Sequence, residues 1–168
     1  MVADLSAYNL AVLALAGALL VVAAVVDANS YRIPNMVCLA LLALFPLFVL
    51  TAPQEILWGQ HLSVFVVILG AGFVMFSRQI AGAGDIKLLA SAGLWAGPQM
   101  LGMFLFITAV AGGLLALIVA ALTYRRNRAS ETKEAVSIAK TPIPYGVAIA
   151  VGGLCTLIMW SHPVLFAS

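Results

Sequence analysis

Charged residues are scarce in this sequence. Only 8% of its 168 residues are Asp, Glu, Lys or Arg, whereas 64% are hydrophobic. A soluble domain has roughly 25% charged and 45–50% apolar residues, so the composition excludes a soluble globular domain and predicts an integral membrane protein. We therefore expect the lipid bilayer as its surroundings and no nucleic-acid partner. Neither a shift in composition nor an internal repeat divides the chain, which predicts a single domain over residues 1–168.

Cysteine and histidine are also rare, with two residues of each. Cys38 and Cys155 lie inside apolar runs, the sequence contains no CxxC pair, and no histidine stands at metal-ligand spacing from them. These absences argue against a disulfide framework or a metal site, so we expect neither a metal nor another cofactor. His61 and His162 flank apolar runs and are interpreted as residues of the membrane interface.

Apolar runs are what the sequence has in abundance. A helix needs about 20 residues to cross the hydrocarbon layer, and six runs are candidates, near residues 8–26, 34–51, 61–77, 85–97, 99–123 and 144–161. The fourth is short, since about 13 residues cover about two thirds of that layer. Asp4 stands where a secretory signal would have a basic region, so the first run is predicted to be a retained span. The predicted fold is all-α, a polytopic bundle of six transmembrane helices.

All eight basic residues fall in or beside alternate connections between the runs. Arg32 belongs to the first, Arg78 and Lys87 to the third, and Arg125, Arg126, Arg128, Lys133 and Lys140 to the fifth. Cytoplasmic loops carry the excess of Lys and Arg, so these three connections are predicted to face the cytosol and both termini to face outward. The fifth connection, residues 124–142, is interpreted as a basic loop near anionic headgroups, with docking of a substrate as the alternative.

Two of the six acidic residues stand at the ends of apolar runs. Asp27 ends the first run and Asp85 begins the fourth, so the predicted topology places both at the cytosolic ends of their helices. A charge at the centre of a membrane helix costs about 2.5–3.5 kcal/mol, and an intramembrane acid is therefore a functional hypothesis by default. The structural alternatives are a helix cap or a Lys87 partner for Asp85, and an interfacial terminator near Arg32 for Asp27.

A pair of neighbouring carboxyl groups has a defined chemistry. Two carboxylates in contact cannot both ionise cheaply, so they share a proton and titrate as a unit. The ionised member takes a proton from water while the protonated member polarises a peptide carbonyl, which allows hydrolysis without a metal. Gly82 and Gly84 precede Asp85, and residues without a Cβ let a backbone segment come close to the carboxylate.

Three motifs carry a resemblance to a known family. They are Asp27 followed by "SYRIPN" (30–35), "GAGDIKLLA" (82–90) and "KTPIPYG" (140–146). In this order they resemble the type IV prepilin peptidases, which are membrane aspartic proteases of the GxGD class. The resemblance implies that Asp27 and Asp85 are the catalytic aspartates and that Gly82 and Gly84 are the motif glycines.

The resemblance also implies residues that shape the site or bind the substrate. They are Lys87, Arg32, Pro34, Asn35, Pro142, Pro144, Tyr145 and Gly146. By its chemistry alone, Pro34 suits the first position of the second helix. Pro142 and Pro144 prevent a regular helix just before the sixth span.

The family implies the reaction, the substrate and the location. The expected enzyme is an aspartic endopeptidase that removes the short basic leader of prepilins and pseudopilins, typically after a glycine. The expected location is the bacterial cytoplasmic (inner) membrane, with the active site facing the cytosol. The long family members carry a cytosolic domain with CxxC motifs, so this sequence resembles the short form of tight-adherence or Flp pilus systems, without methyltransferase activity.

Two readings from other classes stay open, and so does the oligomeric state. In the first, Asp27 and Asp85 bind a cation in a small proton- or cation-coupled transporter. In the second, the protein is a non-catalytic assembly factor with the same fold.

Overall fold

The structure, a computed structural model, describes residues 2–129 and 142–161. It contains helices and connections, with no strand in these two ranges. The five helices are α1 (Val2–Ser30), α2 (Asn35–Thr51), α3 (Trp58–Ser77), α4 (Ala83–Ala129) and α5 (Tyr145–Ser161). The prediction of an all-α fold is confirmed.

Helix α4 is interrupted at Gly97, where the sequence predicts a break between two spans. Gly97 has φ 60° and ψ −179°, and Pro98 follows it. Glycine is the residue that adopts this conformation without steric cost. The interruption divides α4 into an amino-terminal segment, α4N (83–96), and a carboxy-terminal segment, α4C (98–129).

Contacts with α5 show that the chain reverses direction at Gly97. Trp160 at the end of α5 bonds to Trp95 near the end of α4N, so α5 runs parallel to α4N. Tyr145 at the start of α5 lies beside Gly112 in α4C, whereas Gly152, further along α5, lies beside Phe104. The segment α4C is therefore antiparallel to α5 and to α4N.

Side chains satisfy the carbonyl groups that this reversal leaves without helical partners. Pro98 has no N–H to offer the Leu94 carbonyl one turn earlier, and His61 Nδ1 donates to that oxygen at 2.7 Å. Trp160 Nε1 donates to the Trp95 carbonyl at 2.9 Å. Such groups need partners because the hydrocarbon layer offers none. His61 is only 1% exposed, so it is an interior residue and its interpretation as an interfacial one is wrong; His162 lies outside the described residues.

Helix α4 occupies the centre of the packing, with α2, α3 and α5 against it. Helix α3 packs mainly on α4. Small residues allow this close approach, since a Cβ on Gly72 would overlap Ile86 and a Cβ on Gly93 would overlap Ile68. This is the packing role that glycine has between membrane helices.

Three helical stretches are long and apolar enough to cross a membrane by length and composition, namely Ala7–Ser30, Trp58–Ser77 and Ala83–Arg128. Helices α2 and α5 are shorter apolar helices. Large apolar side chains on the surface, such as Leu50 and Met36, are more than 70% exposed. The protein is thus an all-helical membrane protein, and the number of six crossings stays a prediction.

The connections after α1 and α3 and the start of α5 lie at one end of the bundle, which we call the site end. Lys87 at the start of α4N bonds to Asn35 at the start of α2, and Gly146 at the start of α5 bonds to Asp27 near the end of α1. At the opposite end, Asn9 Nδ2 donates to Thr51 Oγ1 at 3.3 Å. Helix α4 continues to Ala129, so the start of the predicted 124–142 loop is helical, and residues 130–141 lie outside the described ranges.

Candidate active site

Asp27 lies in the last turns of α1 and is 4% exposed. Its Oδ2 atom accepts a hydrogen bond from the Gly146 N–H at 2.7 Å, and the Val147 N–H also points at this carboxylate. The first N–H groups of a helix have no partner within it and form its positive end. The start of α5 therefore holds the buried Asp27 carboxylate.

Proline fixes where α5 begins. Pro144 cannot donate a helical hydrogen bond, and it stands directly before Tyr145, the first residue of α5. The Val147 N–H donates to the Pro144 carbonyl at 3.2 Å. Pro142 also lies in the non-helical stretch before α5, as the motif predicts. These prolines leave the amino terminus of α5 directed at Asp27.

Gly146 is required by the close approach of its backbone to Asp27. A Cβ at this position would lie 2.8 Å from Asp27 Oδ2 and 2.9 Å from Asp27 Cγ. Side-chain atoms do not approach one another this closely in proteins. Only glycine therefore fits here without displacing the carboxylate.

Asp85 is the third residue of α4N and is half-buried. The Gly82 N–H donates to its carboxylate, and the Gly82 carbonyl accepts from the Ile86 N–H at 3.2 Å. This is the acidic half of a capping box, in which the third helical residue bonds back to the cap backbone. Asp85 thus caps helix α4N, which was one of the structural alternatives for this residue. The capping hydrogen bond holds its carboxylate in a fixed position.

Lys87 and Arg32 do not neutralise the two acids. Lys87 Nζ donates to Asn35 Oδ1 at 3.0 Å, and Arg32 is exposed. Within the two described ranges, neither basic side chain forms an ion pair with Asp27 or Asp85. Ion pairing with Lys87 or Arg32 is therefore not what places the acids at these positions.

The two acids lie at the same end of the bundle. Both carboxyl groups lie around the first residues of α5. Tyr145 lines a cavity together with Asp85, and the next residue, Gly146, bonds to Asp27. The fold thus brings these two side chains, which are far apart in sequence, to the start of the same helix.

The remaining predicted residues join the helices around this pair. Gly84 contacts Ile33, since a Cβ on Gly84 would lie 3.4 Å from Ile33 Cβ. Pro34 is the residue before α2, with φ −65° and ψ 131°, so it stands one position earlier than predicted. Sequence reasoning missed Ile33 and Val147, because an isolated apolar residue gives no signal of a contact with a distant segment.

Two cavities border the site end. One, of about 600 Å³, is lined by Gly82, Asp85 and Tyr145 and by apolar residues of α3, α4 and α5. The other, of about 340 Å³, is lined by Asn35, Lys87 and apolar residues of α2 and α3. In the described part of the chain, no group of three or more His, Cys, Asp or Glu side chains is placed to hold a metal ion.

These features define a helical membrane protein with two carboxyl groups at one end of the bundle, one buried and one beside an apolar cavity. Comparison with known proteins agrees with the motifs. The sequence profile of the type IV leader peptidase family matches residues 14–117, more than half of the chain, and the chain belongs to this family. Asp27 and Asp85 both fall inside the matched region.

Several curated relatives are bacterial proteins named prepilin leader peptidase/N-methyltransferase. The chain is 31% identical over 148 residues to the one from Pseudomonas aeruginosa, which covers 83% of the chain and 46% of the relative. It is 30% identical over 142 residues to the one from Escherichia coli K12, with 79% and 56% covered. For Burkholderia pseudomallei the identity is 32% over 114 residues, with 60% and 33% covered.

The chain thus spans between about a third and somewhat more than half of the length of these relatives. No solved structure is significantly similar to it.

Proposed function

We propose that this protein is an intramembrane aspartic endopeptidase that removes the short basic leader from prepilins and pseudopilins. The observation that carries the proposal is the position of Asp27 and Asp85 at the same end of a membrane bundle, beside a cavity and, within residues 2–129 and 142–161, without a basic partner. Membership of the type IV leader peptidase family supports the same reaction. Paired acids are sufficient for peptide hydrolysis without the help of a metal.

The proposed reaction uses one shared proton. The ionised carboxylate takes a proton from water, whose oxygen attacks the peptide carbonyl carbon, while the protonated carboxyl donates to the carbonyl oxygen. The tetrahedral intermediate collapses when the carboxyl group that took the proton from water donates it to the leaving nitrogen and the C–N bond breaks. The other carboxylate regains its proton from a hydroxyl group of the intermediate. The amide groups of Gly146 and Gly82 hold the two carboxylates throughout, so that their geometry does not have to reorganise.

The proposed topology has six crossings, with both termini outward and the site facing the cytosol of a bacterial inner membrane. The reversal at Gly97 supports it, because α4N and α4C then count as two antiparallel segments. The described basic residues Arg32 and Arg78 lie in connections at the same end as the aspartates, and such residues mark the cytoplasmic side. A leader that stays in the cytosol would present its bond at this end.

The finer substrate assignment rests on the resemblance of the motifs. We expect Flp-type prepilins as substrates, and peptide hydrolysis without methyl transfer by these 168 residues, which contain no CxxC pair. The mass of the processed pilin tests both points at once. An unmethylated amino terminus at the leader boundary supports the assignment, and an added methyl group contradicts it.

Substitution of the two acids tests the proposal. Processing of a co-expressed Flp-type prepilin should fall at least 100-fold in Asp27→Asn and Asp85→Asn, because neither variant retains a carboxyl pair that shares a proton. Glu55→Gln is the matched control, since Glu55 is an exposed acid in the connection between α2 and α3. Processing at the wild-type rate by either aspartate variant would show that the pair is not catalytic.

The transporter alternative lacks a supporting feature. Coupling-ion sites of transporters lie near the middle of the membrane, between half-helices. Asp27 and Asp85 lie instead at helix ends.

A further inference from the structure

The 600 Å³ cavity beside Asp85 extends away from the site end as a groove between α3 and α4C. We call it the lateral groove. Gly82, Asp85 and Tyr145 line it at the site end, and Leu101 and Leu105 of α4C line it deeper in the bundle. Ala71 belongs to its α3 wall. The same space therefore contacts a candidate catalytic carboxyl group and the apolar interior of the membrane region.

The length of the groove follows from the helix register. Tyr145 lies beside Gly112 of α4C, and Leu101 precedes Gly112 by 11 residues. At 1.5 Å per residue, the groove extends about 16 Å from the level of Tyr145. This length matches about three turns of an α-helix.

The walls of the groove face the lipid. Val67 and Met75 on α3 are 66% and 44% exposed, and Leu105 on α4C is 39% exposed. Helix α3 packs mainly against α4, so its outer side is open to the bilayer. A ligand can therefore reach Asp85 sideways from the hydrocarbon layer.

Small residues make room for another backbone. Ala71 on α3 and Ala81 before α4N line the groove, whereas Gly72 and Gly82 in the same lining are already covered by Ile86 and Asp85. Small residues at a helix interface permit close approach of a second helix where the lipid provides no hydrophobic drive. An apolar ligand with a helical backbone is thus the chemistry that fits this surface.

We infer that the lateral groove receives the apolar helix that follows the leader of a prepilin, and that this helix arrives through the bilayer between α3 and α4C. The inference rests on the proposed function and adds the route and the contact surface. The end of the groove at Gly82 and Asp85 takes the bond to be cut, and the deeper part at Leu101 and Leu105 takes the first turns of the apolar helix. The lipid-facing opening lets the helix stay in hydrocarbon while its end reaches the acids.

A bulky side chain in the groove tests this route. Ala71→Phe should lower kcat/KM for a full-length prepilin at least tenfold, because the phenyl ring occupies the space of the substrate helix. Val66→Phe is the control, since Val66 is 58% exposed on α3 and is not among the groove-lining residues. It should stay within twofold of wild type.

Cross-linking provides a second measurement that does not depend on a bulky substitution. In an Asp85→Asn protein without its native cysteines, Ala71→Cys and Leu105→Cys should form disulfides with cysteines in the first turns of the prepilin helix when an oxidant is added. Val66→Cys should not.

The outcomes separate the two proposals. The groove assignment would be overturned if Ala71→Phe cleaved at the wild-type rate, or if Val66→Cys and Ala71→Cys cross-linked equally. In either case, cleavage by the wild-type protein would still support the proposed peptidase function. A wild-type protein that cuts no prepilin would overturn the proposed function itself.

Discussion

Gly146 shows how a single residue without a side chain positions a catalytic candidate. Its N–H donates to Asp27 Oδ2 at 2.7 Å, and this contact joins segments 119 residues apart. The sequence motif indicates that a glycine stands here, whereas the partner of that glycine becomes visible only in the fold. The role of Gly146 is therefore to let the start of α5 reach the carboxylate.

Replacement of Gly146 is expected to impair the reaction more than the fold. In Gly146→Ala, the added methyl group would displace Asp27 or the start of α5, because it would lie 2.8 Å from Oδ2. A misplacement of about 1 Å at a reacting group costs about 100-fold in rate, so prepilin cleavage should fall by about that factor. The control is Gly113→Ala, where a Cβ meets nothing within 4 Å. Equal cleavage by both variants would contradict this role.

Residue-scale prediction from sequence succeeds where the signal is local. Asp27 and Asp85 stand out because each interrupts or borders an apolar run, and the motif glycines accompany Asp85. The interpretation of His61 as an interfacial residue fails for a physical reason. A polar residue at the edge of an apolar run has the same pattern whether it faces headgroups or bonds to the interior of the bundle.

The interrupted helix α4 is the element on which the packing depends. Its reversal at Gly97 brings α4C back beside α4N, and an aromatic cluster covers the reversal. This cluster consists of Phe45, Phe48, His61, Trp95 and Trp160, with ring centroids 5.3–6.2 Å apart. The ends of the fourth and fifth apolar runs predict that two helices meet here, but they carry no information about the side chains that satisfy the freed carbonyls.

His61 should stabilise the reversal through its hydrogen bond. His61→Phe keeps a ring in the cluster but leaves the buried Leu94 carbonyl without the donor that now lies 2.7 Å away. An unsatisfied buried group costs about 1–3 kcal/mol, so the free energy of unfolding in detergent should fall by about that amount. His61→Asn, which has an amide donor, should recover part of the loss. Unchanged stability of His61→Phe would show that the hydrogen bond contributes little.

At the scale of the whole molecule, the direction of the helices determines which residues share a side of the membrane. Alternation of the apolar runs and the positions of the basic residues predict this arrangement from sequence. The contacts of α5 with both segments of α4 are in agreement with it. The lateral groove could not be predicted, because it is formed by residues of α3, α4 and α5 whose spacing follows no motif.

Labelling of single cysteines measures the orientation. In a protein lacking Cys38 and Cys155, we expect Glu55→Cys to react with a membrane-impermeant maleimide in cells whose outer membrane is opened. Arg78→Cys should react only after the inner membrane is also permeabilised, since the proposed topology places the basic connections in the cytosol. Both positions are exposed, so access through the protein does not limit the reaction. Labelling of Arg78→Cys from outside would reverse the proposed topology.

The aromatic cluster at the far end has a consequence for motion. Within this cluster, the hydrogen bond of His61 joins the beginning of α3 to Leu94. The last turns of α3, in contrast, border the cavity next to Gly82. If α3 moves to admit a pilin, its beginning stays anchored and its final turns swing outward. The opening would then be widest beside Asp85, where the proposed reaction takes place, and narrowest at the opposite membrane face.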